Sequence, residues 1–397
     1  MAEIFLTIFF ISVLLFFLGS GIWVALSMIG VSAIGMMLFT SRPVGDAMAT
    51  TIWGTASSWT LTALPLFVWM GEILFRTKLS ENLFKGLSPW MQKLPGGLIH
   101  VNVVGCALFA AISGSSAATV ATVGKMSIPE LRKRKYPEKI LLGSLAGSGT
   151  LGLLIPPSII LIIYGVAVQE SIAKLFIAGI IPGIMIALIF MSYVIIWSLV
   201  NKKKMPKISE KYSFLEKIKR SKQLLPVIIL ISGVIGSIYT GVATATEAAS
   251  LGVVGSLILS YFQKSLTLET FKSSLLGATK TSCMIAFILA GSTFLSLAMG
   301  FTGLPRNLAT WIQNMDLSPY VLIFVLMIFY IILGMFLDGI SAVVLTMAVI
   351  EPMIRQAGFD MIWFGIFLVI VVEMAQITPP VGFNLFVLQG MANKDMS

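Results

Sequence analysis

Apolar runs of about 20 residues recur along nearly the whole chain, and no other feature narrows its fold as much. A helix of that length crosses a bilayer core. Inside that core every backbone N–H and C=O needs a partner within the protein, so such runs have to be helices. The chain is 57% hydrophobic and only 11% charged, against roughly 25% charged in soluble domains. The reading is an all-α polytopic membrane protein. The first run, residues 4–17, follows Glu3 with no basic start, so it reads as a retained helix and not a cleavable signal.

The runs are organised as two copies of one pattern. Gly114 and Gly339 stand 225 residues apart, as do Ser116 and Ser341, Asn82 and Asn307, and Leu83 and Leu308. Residues 1–200 form the first repeat. Helices are expected at 4–19, 21–40 and 51–75, the last bent at Pro65, followed by an interfacial arm at 76–95. A re-entrant hairpin then runs in along 98–112, reverses at a Ser113-Gly114-Ser115-Ser116 tip, and returns along 117–126, each limb too short to span comfortably. A helix at 139–165 is broken around Gly147-Ser148-Gly149-Thr150 and Pro156-Pro157, and 172–200 spans once more. Residues 223–397 replay this order, with helices at 224–240, 245–262 and 276–300, an arm at 303–319, a tip at Asp338-Gly339-Ile340-Ser341, and a helix at 361–390 interrupted at Gln376-Ile377-Thr378-Pro379-Pro380. The helix at 172–200 has no counterpart before Ser397, which implies a final helix beyond it or a partner that supplies the packing surface.

The net charge of +10 is a matter of topology. Residues 201–222 hold nine Lys/Arg against Glu210 and Glu216, and residues 125–139 hold six against Glu130 and Glu138. Short basic loops between apolar segments mark the cytoplasmic side, which explains these runs without nucleic acid. The base of the second hairpin, 351–360, balances Arg355 with Glu351 and Asp360. The halves therefore sit as inverted-topology repeats joined by a cytoplasmic linker, with the N-terminus periplasmic.

Paired broken helices leave backbone groups free at membrane depth, where they can hold an ion or substrate, and point to a secondary transporter. One cation site is expected from Ser113, Gly114, Ser115 and Ser116 with Gly147 and Thr150 at the first break. The other takes Asp338, Gly339 and Ser341 with Gln376 and Thr378. A carboxylate at membrane depth is costly without a cation or polar cavity, so Asp338 is read as a site charge, with an N-cap as the structural alternative. Thr244 and Glu247 fit a capping box, Glu72 and Arg76 an ion pair four residues apart, His100 a hydrogen-bonded packing role, and Glu373 a position before the second break. Cys106 and Cys283 read as buried packing, and with one histidine they form no transition-metal site. No phosphate-binding Gly-Lys-Ser/Thr loop or hydrolytic constellation is evident, so the chain is not expected to be an enzyme.

On the stretches 113–124, 152–158, 246–252, 334–341 and 377–385 the chain resembles the large membrane subunit (M, or DctM-like) of tripartite ATP-independent periplasmic (TRAP) transporters, and the resemblance covers essentially its whole length. That resemblance implies sodium-coupled uptake of an organic acid, such as sialic acid or a C4-dicarboxylate, across the inner membrane. It implies an elevator-type motion of a hairpin-containing transport domain, a small membrane subunit (Q) and a periplasmic substrate-binding protein (P). Substrate contacts are then expected from Ser115, Ser116, Pro156, Ser341 and Pro379. The competing readings are a self-sufficient carboxylate/sodium symporter, an integral-membrane enzyme and a passive channel.

Overall fold

The computed structural model describes residues 2–77, 79–206, 212–222, 224–303, 305, 307, 310, 318–380 and 382–392. Every regular element among those residues is a helix. The opening helices are α1 (Ala2–Gly19), α2 (Val24–Phe39), α3 (Val44–Ala56) and α4 (Ala63–Phe75), with the arm helix α5 (Leu79–Met91) after them. The first hairpin is α6 (Ile99–Ser113) and α7 (Ser116–Lys133), the first broken helix α8 (Glu138–Gly149) and α9 (Ile159–Ala167), and α10 (Ile172–Val200) closes the half. Then follow α11 (Phe214–Ser221), α12 (Leu225–Tyr239), α13 (Ala245–Phe262) and α14 (Leu268–Thr302). The second hairpin is α15 (Pro319–Gly334) and α16 (Gly339–Gln356), and the second broken helix is α17 (Met361–Gln376) and α18 (Phe383–Ala392). The expected order of helix, tip, helix and broken helix is present in both halves. Both Pro156-Pro157 and Pro379-Pro380 bonds are cis. The second arm falls largely outside the described residues.

Several boundaries differ from expectation for identifiable reasons. The bend between α3 and α4 is 51° and falls at Ser57-Ser58, not at Pro65, which sits in the first turn of α4 where its missing N–H costs no helical bond. Helix α14 starts at Leu268, not 276, because Thr267 and Thr270 form a capping box ahead of two polar turns. Helix α7 continues through Pro129 to Lys133, and α16 is itself long and apolar enough to cross a membrane, so the returning limbs are longer than expected, while the ingoing limbs α6 and α15 are short, at 15 and 16 residues. The basic linker is not all loop. Its end folds as α11, with Trp90 of α5 donating to Ser221 Oγ at 2.7 Å and Lys217 Nζ lying 5.2 Å from the indole centroid.

Packing separates two groups of helices. Helix α14 packs along α2, α3 and α4, with α13 against α4. The hairpins and broken helices pack on one another, with α6 on α7 and α8, α18 on α7, and α17 on α15 and α16. Large buried side chains such as Phe109, Tyr164 and Phe364 fill the second group. Outward, α10 exposes Ile181, Leu188 and Ile196, the pattern of a helix facing lipid. The expected Glu72–Arg76 pair forms at 2.8 Å, Thr244 and Glu247 form their capping box, and buried His100 bonds the Pro95 carbonyl at 2.7 Å.

The first reversal depends on glycine. Gly114 has φ +59°, and a Cβ there would lie 2.7 Å from the Pro157 carbonyl oxygen. A left-handed residue with a side chain costs about 1–2 kcal/mol, and crowding adds about 1–3 kcal/mol. Gly114→Ala should therefore lower the thermal midpoint of the detergent-purified protein by several degrees, whereas Gly143→Ala, inside α8 with open space around it, should not lower it and should raise it slightly, since alanine is the better helix former.

Candidate functional site

The two hairpin tips meet across one cavity of about 1070 Å³. The first tip supplies Gly114, Ser115 and Ser116, the second Asp338, Gly339 and Ser341, and Gln376 comes from the end of α17. The opposite wall is the start of α2, at residues 22–25, and one face of α14 with Lys280, Thr281, Cys283, Met284 and Phe287.

Helix starts shape the polar side of this cavity. At the first tip the Ser115 hydroxyl caps α7, accepting from Ala118 N at 3.5 Å, and its carbonyl accepts from the Thr119 amide at 3.0 Å and the Thr119 hydroxyl at 2.7 Å. The Gly114 carbonyl accepts from Ile159 N at 3.2 Å, which ties the tip to the start of α9. At the second tip Asp338 is the N-cap of α16, its Oδ2 accepting from Ile340 N at 3.1 Å and Ser341 N at 3.2 Å. Such caps stabilise a helix by about 1 kcal/mol. The structural role considered for Asp338 is thus present, and its side chain also borders the cavity. Between the halves, Ser116 Oγ donates to Gln376 Oε1 at 2.7 Å, with both residues buried.

Other residues expected at the site stand behind it or away from it. Ser113 is engaged inside the hairpin, its hydroxyl 2.9 Å from Thr119 Oγ1. Gly147 and Thr150 are bonded to each other, Thr150 Oγ1 donating to the Gly147 carbonyl at 2.7 Å. The α-helix runs through Gly149 before a 3-10 turn at 150–153, so the first break opens at Thr150, within the expected stretch 147–150. The glycines there serve close packing, since a Cβ on Gly149 would strike Val120 and one on Gly152 would lie 2.6 Å from the Ser115 carbonyl oxygen. Pro156 faces Phe176 and Ile235 in a separate small crevice. Thr378 Oγ1 donates to the Met374 carbonyl at 2.6 Å. Thr378, exposed Pro379 and buried Glu373 are outside the cavity lining.

Two wall residues escaped the sequence reading. Cys283, expected to be buried, is exposed on the cavity face of α14. Lys280 lies one turn before it, and the available signal was a basic residue inside the apolar part of that helix. No cluster of three or more His, Cys, Asp or Glu occurs among the described residues.

The profile of the family described as "Tripartite ATP-independent periplasmic transporter, DctM component" matches residues 9–397. The chain is 34% identical over 356 residues to the C4-dicarboxylate TRAP transporter large permease protein DctM of Pseudomonas aeruginosa, across 89% of this chain and 82% of that one. It is 31% identical over 378 residues to the sialic acid TRAP transporter large permease protein SiaM of Vibrio cholerae, across 93% and 86%. It is 32% identical over 353 residues to the 2,3-diketo-L-gulonate TRAP transporter large permease protein YiaN of Escherichia coli, across 87% and 81%. A solved structure of MtrF from Neisseria gonorrhoeae, an antimetabolite efflux pump, aligns with a TM-score of 0.51 at 13% identity, across 89% of this chain and 78% of that one. At that identity the likeness is one of fold. The matches and the helical architecture agree, and the chain belongs to the DctM family, the multi-pass large permease component of tripartite ATP-independent periplasmic transporters.

Proposed function

We propose that this chain carries an organic acid across the inner membrane together with sodium, receiving the acid from a periplasmic binding protein and working beside a small membrane subunit. The observation that supports this most is the meeting of both tips and Gln376 at one cavity. Ser115, Ser116, Ser341 and Gln376 bring hydroxyl and amide oxygens, and oxygen ligands of this kind can replace the hydration shell of a hard cation. The relatives are named for C4-dicarboxylates, sialic acid and diketogulonate, all carboxylic acids, which supports the substrate class.

Charge supports two inverted repeats, 1–200 and 223–397. The base of the first hairpin, 125–139, carries six lysines and arginines against Glu130 and Glu138, while Arg355 at the base of the second is paired with Glu351 at 2.9 Å and Glu170 at 3.8 Å. On this topology α14 rises from the cytoplasmic side and α2 opens there, so the cavity faces the cytoplasm. An elevator motion would carry the hairpins and broken helices past the group built on α14, α2 and α4.

Three outcomes test this reading. In proteoliposomes holding the complete complex, Ser116→Ala and Ser341→Ala should each raise the sodium concentration for half-maximal uptake several-fold while membrane insertion stays normal. Unchanged sodium dependence in both would remove the tips from the coupling site. Asp338→Asn keeps an acceptor for the Ile340 and Ser341 amides but loses the charge. It should reduce sodium-driven uptake more than it reduces thermal stability; equal losses would leave Asp338 a helix cap alone. Single cysteines at 125–139 and 201–222 should resist an impermeant thiol reagent in intact cells, whereas those at 351–360 should react. Equal labelling of both hairpin bases would rule out the inverted arrangement.

A further inference from the structure

The cavity has an electrical polarity. Among the described residues lining it, Asp338 is the one acidic side chain and Lys280 the one basic side chain. They stand on different helix groups, Asp338 on the second tip and Lys280 on α14. Lys280 is exposed and has no ion pair or hydrogen bond among the described residues. It follows Leu268 by 12 residues, which places it about 18 Å along the helix at 1.5 Å per residue. Polar turns open α14 and its apolar stretch begins near residue 276, so Lys280 stands about 6 Å into that stretch, where an ammonium is costly unless it meets water or an anion.

The tips extend this polarity. Each is the start of an 18-residue helix, whose end carries partial positive charge. At the second tip the Asp338 carboxylate already occupies two of the end's amides. At the first tip the cap is the neutral Ser115 hydroxyl, in a weak 3.5 Å bond. An incoming anion is therefore repelled at the second tip and not at the first.

We infer that Lys280 is a substrate-binding residue, holding the carboxylate of the transported acid on the first-tip side of the cavity while Asp338 faces the cation. This rests on the reading of the chain as an organic-acid permease and adds the residue that selects for an anion.

The test uses the full complex in proteoliposomes, with labelled sialic acid and labelled C4-dicarboxylate delivered by their binding proteins. Lys280→Gln should raise the half-saturating acid concentration by about tenfold or more, the scale of one lost charge-assisted hydrogen bond. The half-saturating sodium concentration should change by less than about twofold, because the proposed sodium ligands are on the two tips and at Gln376, whereas Lys280 is on α14. Lys280→Cys in a Cys283→Ser background separates charge from folding, since Cys283 lines the same cavity. Aminoethyl methanethiosulfonate restores a cation to the inserted protein and should recover acid affinity. The neutral methyl reagent should not. Wild-type uptake with an unchanged half-saturation in Lys280→Gln would overturn the assignment and leave a lysine that merely snorkels. Recovery with both reagents would overturn it too, as would failure of both variants to insert. If the wild type transports no acid with any binding protein, the permease reading falls and the assignment with it.

Discussion

Every backbone polar group at membrane depth has to be satisfied inside the protein, and the two halves meet that demand where their helices break. A transmembrane helix satisfies itself, but a reversal leaves free N–H and C=O groups on either side. At the first tip those groups are taken up by Ile159 N on the Gly114 carbonyl and by Thr119 on the Ser115 carbonyl. At the second tip they are taken up by the Asp338 carboxylate. The polar groups that make a site possible are thus the ones the apolar surroundings force into a few places. The same demand explains why glycine stands at the first reversal and why Gly152 lets the 3-10 turn press against the Ser115 carbonyl.

The two tips solve one geometric problem with different chemistry. A hydroxyl cap leaves the end of α7 electrically uncompensated, and a carboxylate cap compensates the end of α16. The two tips share a backbone arrangement and differ in charge. That difference turns a pair of similar reversals into two unlike walls of one cavity, a condition for holding a cation and an anion side by side.

Much of this was legible in the sequence, and the failures have physical causes. Spans such as α10 and α13 were read to the residue, because hydropathy and caps agree at their ends. The tips were visible as Gly-Ser and Asp-Gly steps between apolar limbs. Helices with polar terminal turns, α14 at its start and α7 at its end, were read too short, since hydropathy does not see a helix once it becomes polar. The α-helix does end at Gly149, inside the stretch read as a break, but Gly147 and Gly149 also make close contact with Phe190 and Val120, and glycine at a helix interface gives the same local signal as glycine at a turn. The wall built from Lys280 and residues 22–25 was hidden because it arises from α14 and α2 meeting the tips in space, and it belongs to no local motif.

The bond from Ser116 to Gln376 joins residues 260 positions apart. It makes the first tip and the second break a single thermodynamic element. Whatever draws the Gln376 amide oxygen toward itself must loosen the Ser116 hydroxyl, and whatever orders Ser116 must steady Gln376. By linkage, occupancy at either end changes affinity at the other by the same factor. One hydrogen bond is thus a route by which an event at the first tip would reach the second break with no large rearrangement.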